Sequence, residues 1–314
     1  MKRYLLLIAL FAISCGRIDI EQLVETPKEM AVTFLLQNNS LWQFPLVPVK
    51  ALTDRLYYEA IENPSITLKY NNQTFTNYSL MNEPPLPFYI STEMVPNIPE
   101  KAICSLEIEK EGYPTLTATD TMPIMPDVRD ISLENLENRL LNPVVDISLF
   151  KFMYSLSGTL RFKLNLSEEQ ARYYLVQIKV ENNLYNTEPR MAVIGGDDSA
   201  FIDSTYYSNL SIRYEDERIE NERGEFDSQL YGNGTAEIVV RFSGRYLRRS
   251  QRVKEMEVEI LSLSPAYYEY LTDLTKTVRN NTNIFNEPTN SYSNVEGGYG
   301  VFVLANKFSK KIDI

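Results

Sequence analysis

Short runs of alternating apolar and polar residues, separated by Asn, Pro and Gly, dominate the first third of the chain. Alternation with a period of two is typical of strands that bury one face. Residues 66–70 and 73–75 flank two asparagines, which tolerate the positive φ of a tight turn, and therefore predict a β-hairpin. The predicted strands of this part are residues 31–36, 65–70, 74–78, 104–110 and 115–119. They favour a small antiparallel β-sandwich at residues 29–126.

Two prolines end this pattern in the sequence Met-Pro-Ile-Met-Pro-Asp at residues 122–127. Each proline removes a backbone donor and holds the preceding residue extended, so the segment predicts a stiff junction and a domain boundary between residues 126 and 127. Residues 127–314 are again rich in β-strand patterns and predict a larger β-sandwich domain. Its predicted strands are residues 158–166, 173–180, 191–194, 210–214, 236–242, 256–263 and 301–304.

One amphipathic helix is predicted within this second region, near residues 265–280. Ser264 is a suitable N-cap, and Pro265 fits the first turn. Apolar residues then recur on one stripe, which should pack against a sheet; they are Tyr267, Leu271, Leu274 and Val278. After the helix the chain is loop-like until the strand at residues 301–304, which is followed by a polar tail. The predicted fold class is therefore mainly β with one C-terminal helix.

The composition indicates a folded, acidic protein and excludes several chemistries. Apolar residues make up 44% of the 314 residues, far above the level of disordered chains. The absence of histidine excludes Ser-His-Asp and Cys-His catalysis and the common zinc sites. A formal charge of -11 disfavours nucleic acid as a partner. Cys104 lies in an alternating run with Leu106 and Ile108, which predicts a buried structural thiol without a disulfide.

The first fifteen residues are typical of a bacterial lipoprotein export signal. Lys2 and Arg3 precede an apolar run at residues 4–13, and small residues then lead to Cys15. The run is about half of the ~20 residues that a bilayer-spanning helix needs. We therefore predict a signal peptide at residues 1–14, acylation of Cys15 with palmitate-type chains, and a polar tether at residues 15–28. The alternative is an ordinary secretory signal whose cleavage site lies near a cysteine.

Three further segments are candidate sites. Asp197, Asp198 and Asp203 offer oxygen ligands for a cation, although their spacing lacks the twelve-residue pattern of a calcium loop. The sequence Gly-Gly-Tyr-Gly at residues 297–300 lacks a phosphate-loop pattern and predicts a tight turn with close backbone approach. The charged run at residues 215–227 predicts a solvated loop or an exposed hairpin, with a recognition surface as the alternative. No metal or cofactor site follows from these segments.

Aromatic and acidic side chains leave further alternatives open. Trp42, Tyr231 and the tyrosines at 206 and 207 are candidates for ligand stacking or for a protein interface. The carboxylate pairs Glu168 with Glu169 and Glu257 with Glu259 are typical of surface charge, although paired carboxylates also serve glycosidases.

An ordered series of motifs resembles one known family. It comprises Leu-Ser-Leu-Ser at residues 261–264, an aromatic stretch at 267–271, Phe-Asn-Glu-Pro at 285–288, the glycine-bearing segment 293–302, and earlier counterparts at 111–114, 118–123 and 165–174. Taken together, the series resembles a large family of Bacteroidetes outer-membrane lipoproteins of unknown function, often encoded beside TonB-dependent receptors. The resemblance covers nearly the whole mature chain. The opening at residues 41–45, Leu-Trp-Gln-Phe-Pro, departs from the family and leaves its strand pairing open.

The resemblance implies a cell-envelope lipoprotein with an immunoglobulin- or transthyretin-like first domain and no catalytic residues. Our leading hypothesis is a non-enzymatic, lipid-anchored protein of the outer membrane that captures a ligand for a TonB-dependent transporter or gates it. A structural or adhesive envelope lipoprotein without a small-molecule ligand is the alternative. An enzyme that uses carboxylates or a bound metal is a third possibility.

Overall fold

The protein is mainly β, as the sequence predicts. The computed structural model describes residues 28–38, 42–49, 60–82, 87–93, 97–146, 151–167, 171–180, 210–214, 225–248, 254–281 and 292–314. Its elements in chain order are β1 (Met30–Gln37), β2 (Gln43–Phe44), β3 (Leu46–Pro48), β4 (Ser65–Tyr70), β5 (Gln73–Phe75), β6 (Tyr78–Met81), β7 (Phe88–Ser91), β8 (Ile103–Glu109), β9 (Leu116–Thr121), β10 (Val128–Asp146), β11 (Lys151–Leu166), β12 (Tyr173–Val180), β13 (Leu210–Tyr214), β14 (Glu225–Asp227), β15 (Gly234–Arg248), β16 (Glu255–Leu263), α1 (Pro265–Asn281), β17 (Val295–Glu296) and β18 (Tyr299–Asp313).

A six-stranded sheet forms the centre of the fold, with strand order β14-β12-β16-β18-β1-β3. The first strand β1 pairs in parallel with the last strand β18, and the other pairs in this sheet are antiparallel. The central sheet therefore contains strands from both sides of the predicted domain boundary between residues 126 and 127. The division into two domains at that point stays a prediction, and any such division has to be made across a continuous sheet.

Three smaller sheets complete the fold, with orders β17-β9-β8-β4-β5, β2-β7-β6 and β10-β11-β15-β13. Two hydrophobic cores lie on one face of the central sheet. Phe302 and Leu304 of β18 belong to the core shared with the N-terminal sheets. Val258 and Ile260 of β16 belong to the core shared with the four-stranded sheet. The register pairs Ile260 with Phe308, which places both cores on the same side.

A line of buried polar side chains separates the two cores. Asn306 donates from Nδ2 to the carbonyl of Pro123 at 3.2 Å, and Ser262 donates from Oγ to the carbonyl of Ile124. Asn38 donates to the carbonyl of Ile98 at 3.0 Å and accepts from its amide at 2.8 Å. The predicted proline junction therefore crosses the central sheet as an anchored segment, because its carbonyls have partners that replace water.

The opposite face of the central sheet packs against α1, as predicted. Ser264 caps the helix by accepting a hydrogen bond from the amide of Tyr267 at 3.2 Å. Tyr267 is buried against Leu263, Val301 and Val303. Among the described residues, no helix is long and apolar enough to cross a membrane.

The predicted hairpin is confirmed: β4 pairs with β5 through Tyr70 and Gln73, and Asn71 has a φ of 49°. Strand β10 was not predicted. Its pairing register shifts near Asp130 and Asn135, both with φ of 51°, and these irregularities interrupt the simple alternation that identifies a strand.

The C-terminal segment that the sequence predicts to be a polar tail is part of a strand, because β18 continues to Asp313. Its lysine-rich end pairs with β16 along its whole length, for example Lys311 with Glu257. Backbone pairing and cross-strand charge pairs stabilise a strand that is polar in sequence.

Candidate ligand-binding pocket

A cavity of about 340 Å³ lies between the three-stranded sheet and the segment that leads into β4. Its size is at the lower end of the range of small-molecule sites. The side chains that line it are Glu62, Asn63, Pro64, Ile66, Thr76, Tyr78, Leu80 and Tyr89.

Strand pairing brings the inner wall of this cavity together. Leu80 of β6 lies directly opposite Tyr89 of β7, and Tyr78 lies two residues before Leu80 on the same face. The hydroxyl of Tyr89 donates to the carbonyl of Ile61 at 2.6 Å and thereby holds the opposite wall. Asn63 turns that wall towards β4 with a φ of 51°, a conformation that asparagine tolerates.

Phe44 of β2 supports both tyrosines from behind. Its ring meets Tyr78 edge-on at a centroid distance of 5.7 Å and stacks near Tyr89 at 6.1 Å. Phe44 itself stacks on Phe34 of the central sheet at 4.3 Å. The tyrosines are therefore positioned by the core rather than by mobile surface contacts.

The hydroxyl oxygen of Tyr78 is buried and has no hydrogen-bond partner among the described residues. Burial raises the pKa of this phenol well above its ordinary value, and the nearby charge of Glu93 raises it further. The group is therefore a neutral O–H donor. Leaving such a donor unpaired costs about 1–3 kcal/mol of stability.

Polar side chains form the rim. Glu62, Asn63 and Thr76 are exposed, whereas Ile66 and Tyr89 are buried on the floor. Among the described residues, the lining includes no lysine or arginine. Chemically, the pocket offers hydrogen-bond donors and acceptors around an apolar floor.

The residues singled out from sequence do not form this pocket. Cys15, Glu168, Glu169, Asp197, Asp198, Asp203 and the tyrosines at 206 and 207 lie outside the described residues, so acylation and cation binding stay predictions. Within the described ranges, no group of three or more Asp, Glu or Cys side chains is arranged to hold a metal ion.

Trp42 is not available for stacking with a ligand. Its side chain is only 2% exposed and packs edge-on against Phe75 at 5.2 Å in the first core. The prediction was wrong because the unusual opening segment folds inward, where the backbone of Trp42 accepts a hydrogen bond from Ser91. Tyr231 is partly buried and meets Phe226 edge-on at 6.2 Å.

Two predictions of solvated charge are corrected. Glu259 is 1% exposed and binds Lys179 and Lys307, because β16 lies inside the central sheet rather than at its edge. Residues 225–227, the end of the charged run, form β14, in which Glu225 is buried. The rest of that run lies outside the described residues.

The glycine-bearing segment makes the close backbone approach that its sequence predicts. A Cβ atom on Gly297 would lie 2.0 Å from the carbonyl oxygen of Thr115, and one on Gly300 would lie 1.8 Å from that of Val32. The backbone is thus packed directly against β1 and the start of β9.

Cys104 is a buried free thiol, as predicted, with 0% exposure. Burial raises its pKa from 9.0 to about 12, and Asp120 adds to the shift. We expect iodoacetamide to leave Cys104 unlabelled in the folded protein and to modify it only after unfolding. Peptide mass spectrometry with and without urea checks this, and rapid labelling of Cys104 in the native protein would contradict it.

The same thiol makes stability fall at alkaline pH. Its pKa in the folded state exceeds the unfolded value, so its contribution is complete below about pH 9 and is lost as the pH rises towards 12. Urea unfolding of wild type and Cys104→Ala at pH 7 and pH 10.5 measures the difference. The variant should lose less stability over this interval than the wild type, and equal losses would contradict the prediction.

Sequence reasoning missed Tyr78 and Tyr89. Tyr78 is the last residue of the strand predicted at residues 74–78, and neither tyrosine stands in a recognisable motif. The pocket combines side chains from β4, β6, β7 and the turns beside them, and only tertiary pairing brings these segments together. The unpaired hydroxyl is likewise a property of packing.

The sequence matches one known protein family. The model of the family described as Domain of unknown function (DUF4249) matches residues 51–311, which include all the residues that line the pocket. No curated protein matches the sequence. Because the match extends over most of the chain, this protein belongs to the DUF4249 family.

Proposed function

We propose that this protein is a non-enzymatic lipoprotein of the bacterial outer membrane that captures a ligand for a TonB-dependent transporter. The preformed cavity between the three-stranded sheet and the segment that leads into β4 carries the ligand-capture part of the proposal. The signal-like N-terminus with Cys15 and the resemblance to envelope lipoproteins support the location and the transporter.

The proposed anchor is a lipid rather than a protein segment. Two or three acyl chains on Cys15 contribute about 0.8 kcal/mol for each buried methylene, which is enough for stable attachment. A tether at residues 15–28 then separates the membrane from β1, whose first residue is Met30.

Cys15→Ser should abolish acylation and release the protein from the membrane fraction. Radiolabelled palmitate incorporation and membrane fractionation measure both effects. Cys104→Ala is the matched control, because it removes the buried thiol and should leave labelling intact. Equal labelling of Cys15→Ser and wild type would contradict the lipid anchor.

A structural or adhesive lipoprotein is the second candidate. The outer face of the four-stranded sheet favours it, because Arg161 bridges Glu134 at 2.8 Å and Glu237 at 3.6 Å, and Lys163 bridges Asp130 at 2.7 Å. Such a charge-paired face suits contact with another protein surface.

Affinity purification from detergent-solubilised native membranes separates the two candidates. Ligand capture predicts that a TonB-dependent transporter and a small molecule co-purify, and that deletion of the gene lowers uptake of that molecule. Recovery of envelope proteins without a transporter, with unchanged uptake, would favour adhesion instead.

A further inference from the structure

Resting on the proposed ligand capture, we infer that the captured ligand is a short cationic peptide, which binds in extended form as an added strand along the free edge of β6. Strand addition uses main-chain hydrogen bonds for affinity and alternate side chains for specificity. The main-chain groups of β6, the cavity beside them and the neighbouring charges all fit this mode of binding.

The main chain of β6 offers hydrogen bonds on its outer edge. β6 is the last strand of the three-stranded sheet, whose order is β2-β7-β6. The amide of Thr92 donates to the carbonyl of Asn77 at 3.1 Å, so alternate residues from 77 to 81 face β7. The N–H and C=O groups of Tyr78 and Leu80 therefore point away from β7, and no described residue pairs with them.

The cavity lies along this same edge. Tyr78 and Leu80 both line it, and both are partly exposed. β5 pairs with β4 only between Tyr70 and Leu68, after which the chain crosses to the three-stranded sheet as β6. The gap that remains beside Ile66 of β4 belongs to the cavity, so an extended peptide in the cavity lies within reach of the β6 edge.

β6 also lacks the features that normally keep an edge strand from pairing. Edge strands of soluble proteins are usually protected by charges, prolines or bulges. β10 has register shifts near Asp130 and Asn135, and β13 contains Arg213. β6 has a regular register and the uncharged sequence Tyr-Ser-Leu-Met. Among the described edge strands of four or more residues, it alone is suited to pairing.

The outer face of β6 fits an apolar side chain of the added strand. Met81 is 38% exposed and lies opposite Phe88 of β7, which is also partly exposed. A side chain on this face of the added strand would pack against Met81, whereas the residues before and after it would point to the other face. We therefore expect apolar and polar residues to alternate in the ligand.

Charge favours lysine or arginine at the polar positions. Glu62 lines the cavity and is exposed, and Glu93 accepts a hydrogen bond from the side chain of Asn77, immediately before β6. The formal charge of -11 on the whole chain adds long-range attraction for a cation.

Calorimetry with the full lipoprotein in detergent tests the inference. The probe is a capped hexapeptide that alternates lysine and valine, and the control peptide has glutamate in place of each lysine. The lysine peptide should bind saturably and at least about tenfold more tightly than the glutamate peptide, because its charge complements Glu62 and Glu93. Equal affinities, or no binding of the lysine peptide, would overturn the inference.

N-methylation of the lysine peptide distinguishes main-chain pairing from side-chain contact. Only alternate N–H groups of an added strand face β6. One derivative is methylated at the second and fourth residues, and the other at the third and fifth. One of the two should keep its affinity, and the other should lose at least about tenfold, as loss of one main-chain hydrogen bond or more does. Equal affinities of the two derivatives would contradict strand addition.

Leu80→Pro removes an outward N–H of β6 without removing a hydrogen bond to β7, and proline is tolerated at such edge positions. Leu80→Ala is the matched control, because it shortens the side chain and keeps the N–H. Leu80→Pro should bind the lysine peptide at least about tenfold more weakly than Leu80→Ala, with circular dichroism showing that both are folded. Equal binding by the two variants would contradict the inference. If Leu80→Pro does not fold, the methylated peptides decide the question on the wild-type protein.

Mass spectrometry of the material that co-purifies from native membranes separates this inference from the proposed function. A transporter recovered with a ligand that is not a peptide would overturn the inference and leave the proposed function intact. Peptide binding without any transporter would support the inference and count against the transporter role.

Discussion

Gly300→Ala is expected to destabilise the protein by about 2–6 kcal/mol, a large share of the total stability of a typical domain. Gly300 has a φ of +111°, a conformation that L side chains rarely adopt. Its Cβ would also lie 1.8 Å from the carbonyl oxygen of Val32, in the parallel pair of β1 and β18. The two strands would have to separate, and they join the two ends of the chain.

Two other glycines distinguish the cost of a positive φ from the cost of a steric clash at Cβ. Gly112 has a φ of +84° with open space around its Cβ position, so Gly112→Ala should cost only about 1–2 kcal/mol. Gly298 lacks a positive φ, but its Cβ would lie 2.4 Å from the carbonyl oxygen of Met30. Gly298→Ala should therefore fall between the two.

Urea unfolding followed by circular dichroism gives the free energy of unfolding of each of the three variants. The yield of soluble protein on expression ranks any variant that is too unstable for this measurement. If Gly300→Ala lowered the free energy of unfolding no more than Gly112→Ala does, β1 would be able to move away from the added Cβ at little cost. In that case the close packing of β1 on the glycine-bearing segment would not be a main source of stability.

Glu259→Gln is expected to destabilise the protein by about 3–5 kcal/mol, the usual cost of breaking a buried ion pair. Oε1 of Glu259 lies 2.5 Å from Nζ of Lys179 and 2.9 Å from Nζ of Lys307, and the carboxylate is 1% exposed. The substitution would leave two largely buried ammonium groups without their counter-charge.

An exposed pair on another sheet is the matched control. Lys69 and Glu107 lie 3.4 Å apart with side chains 50% and 42% exposed, so Glu107→Gln should cost less than about 1 kcal/mol. The triple variant Lys179→Met, Glu259→Leu, Lys307→Met should recover most of the loss, because apolar replacement of a whole buried cluster removes every uncompensated charge. Equal costs for Glu259→Gln and Glu107→Gln in urea unfolding would contradict the buried pair.

Local sequence signals identified many of the elements correctly. The hairpin around Asn71, the strand that buries Cys104 and the capped helix after Ser264 all depend on neighbours within a few residues. For such elements, turn propensity, alternation and capping act within the segment itself. Strand β10 was not predicted, because the irregularities in its pairing change which face of the sheet each residue lies on.

Turn propensity, alternation and capping could not predict the pocket. Tyr78 becomes a candidate only when β6 and β7 pair and Phe44 packs behind them, and Trp42 ceases to be one when the same packing buries it. Residue type alone suggested the opposite ranking of these two aromatic side chains.

The amino-acid sequence is sufficient to identify a mainly β, acidic protein without histidine, with a helix near its C-terminus and a buried thiol. These features follow from composition and short-range periodicity. Tertiary packing alone makes β1 pair with β18, buries Glu259 between two lysines and leaves the Tyr78 hydroxyl without a partner among the described residues. The reason is physical: strand pairing and burial join residues far apart in the chain, and no local pattern records which distant strand will be the neighbour.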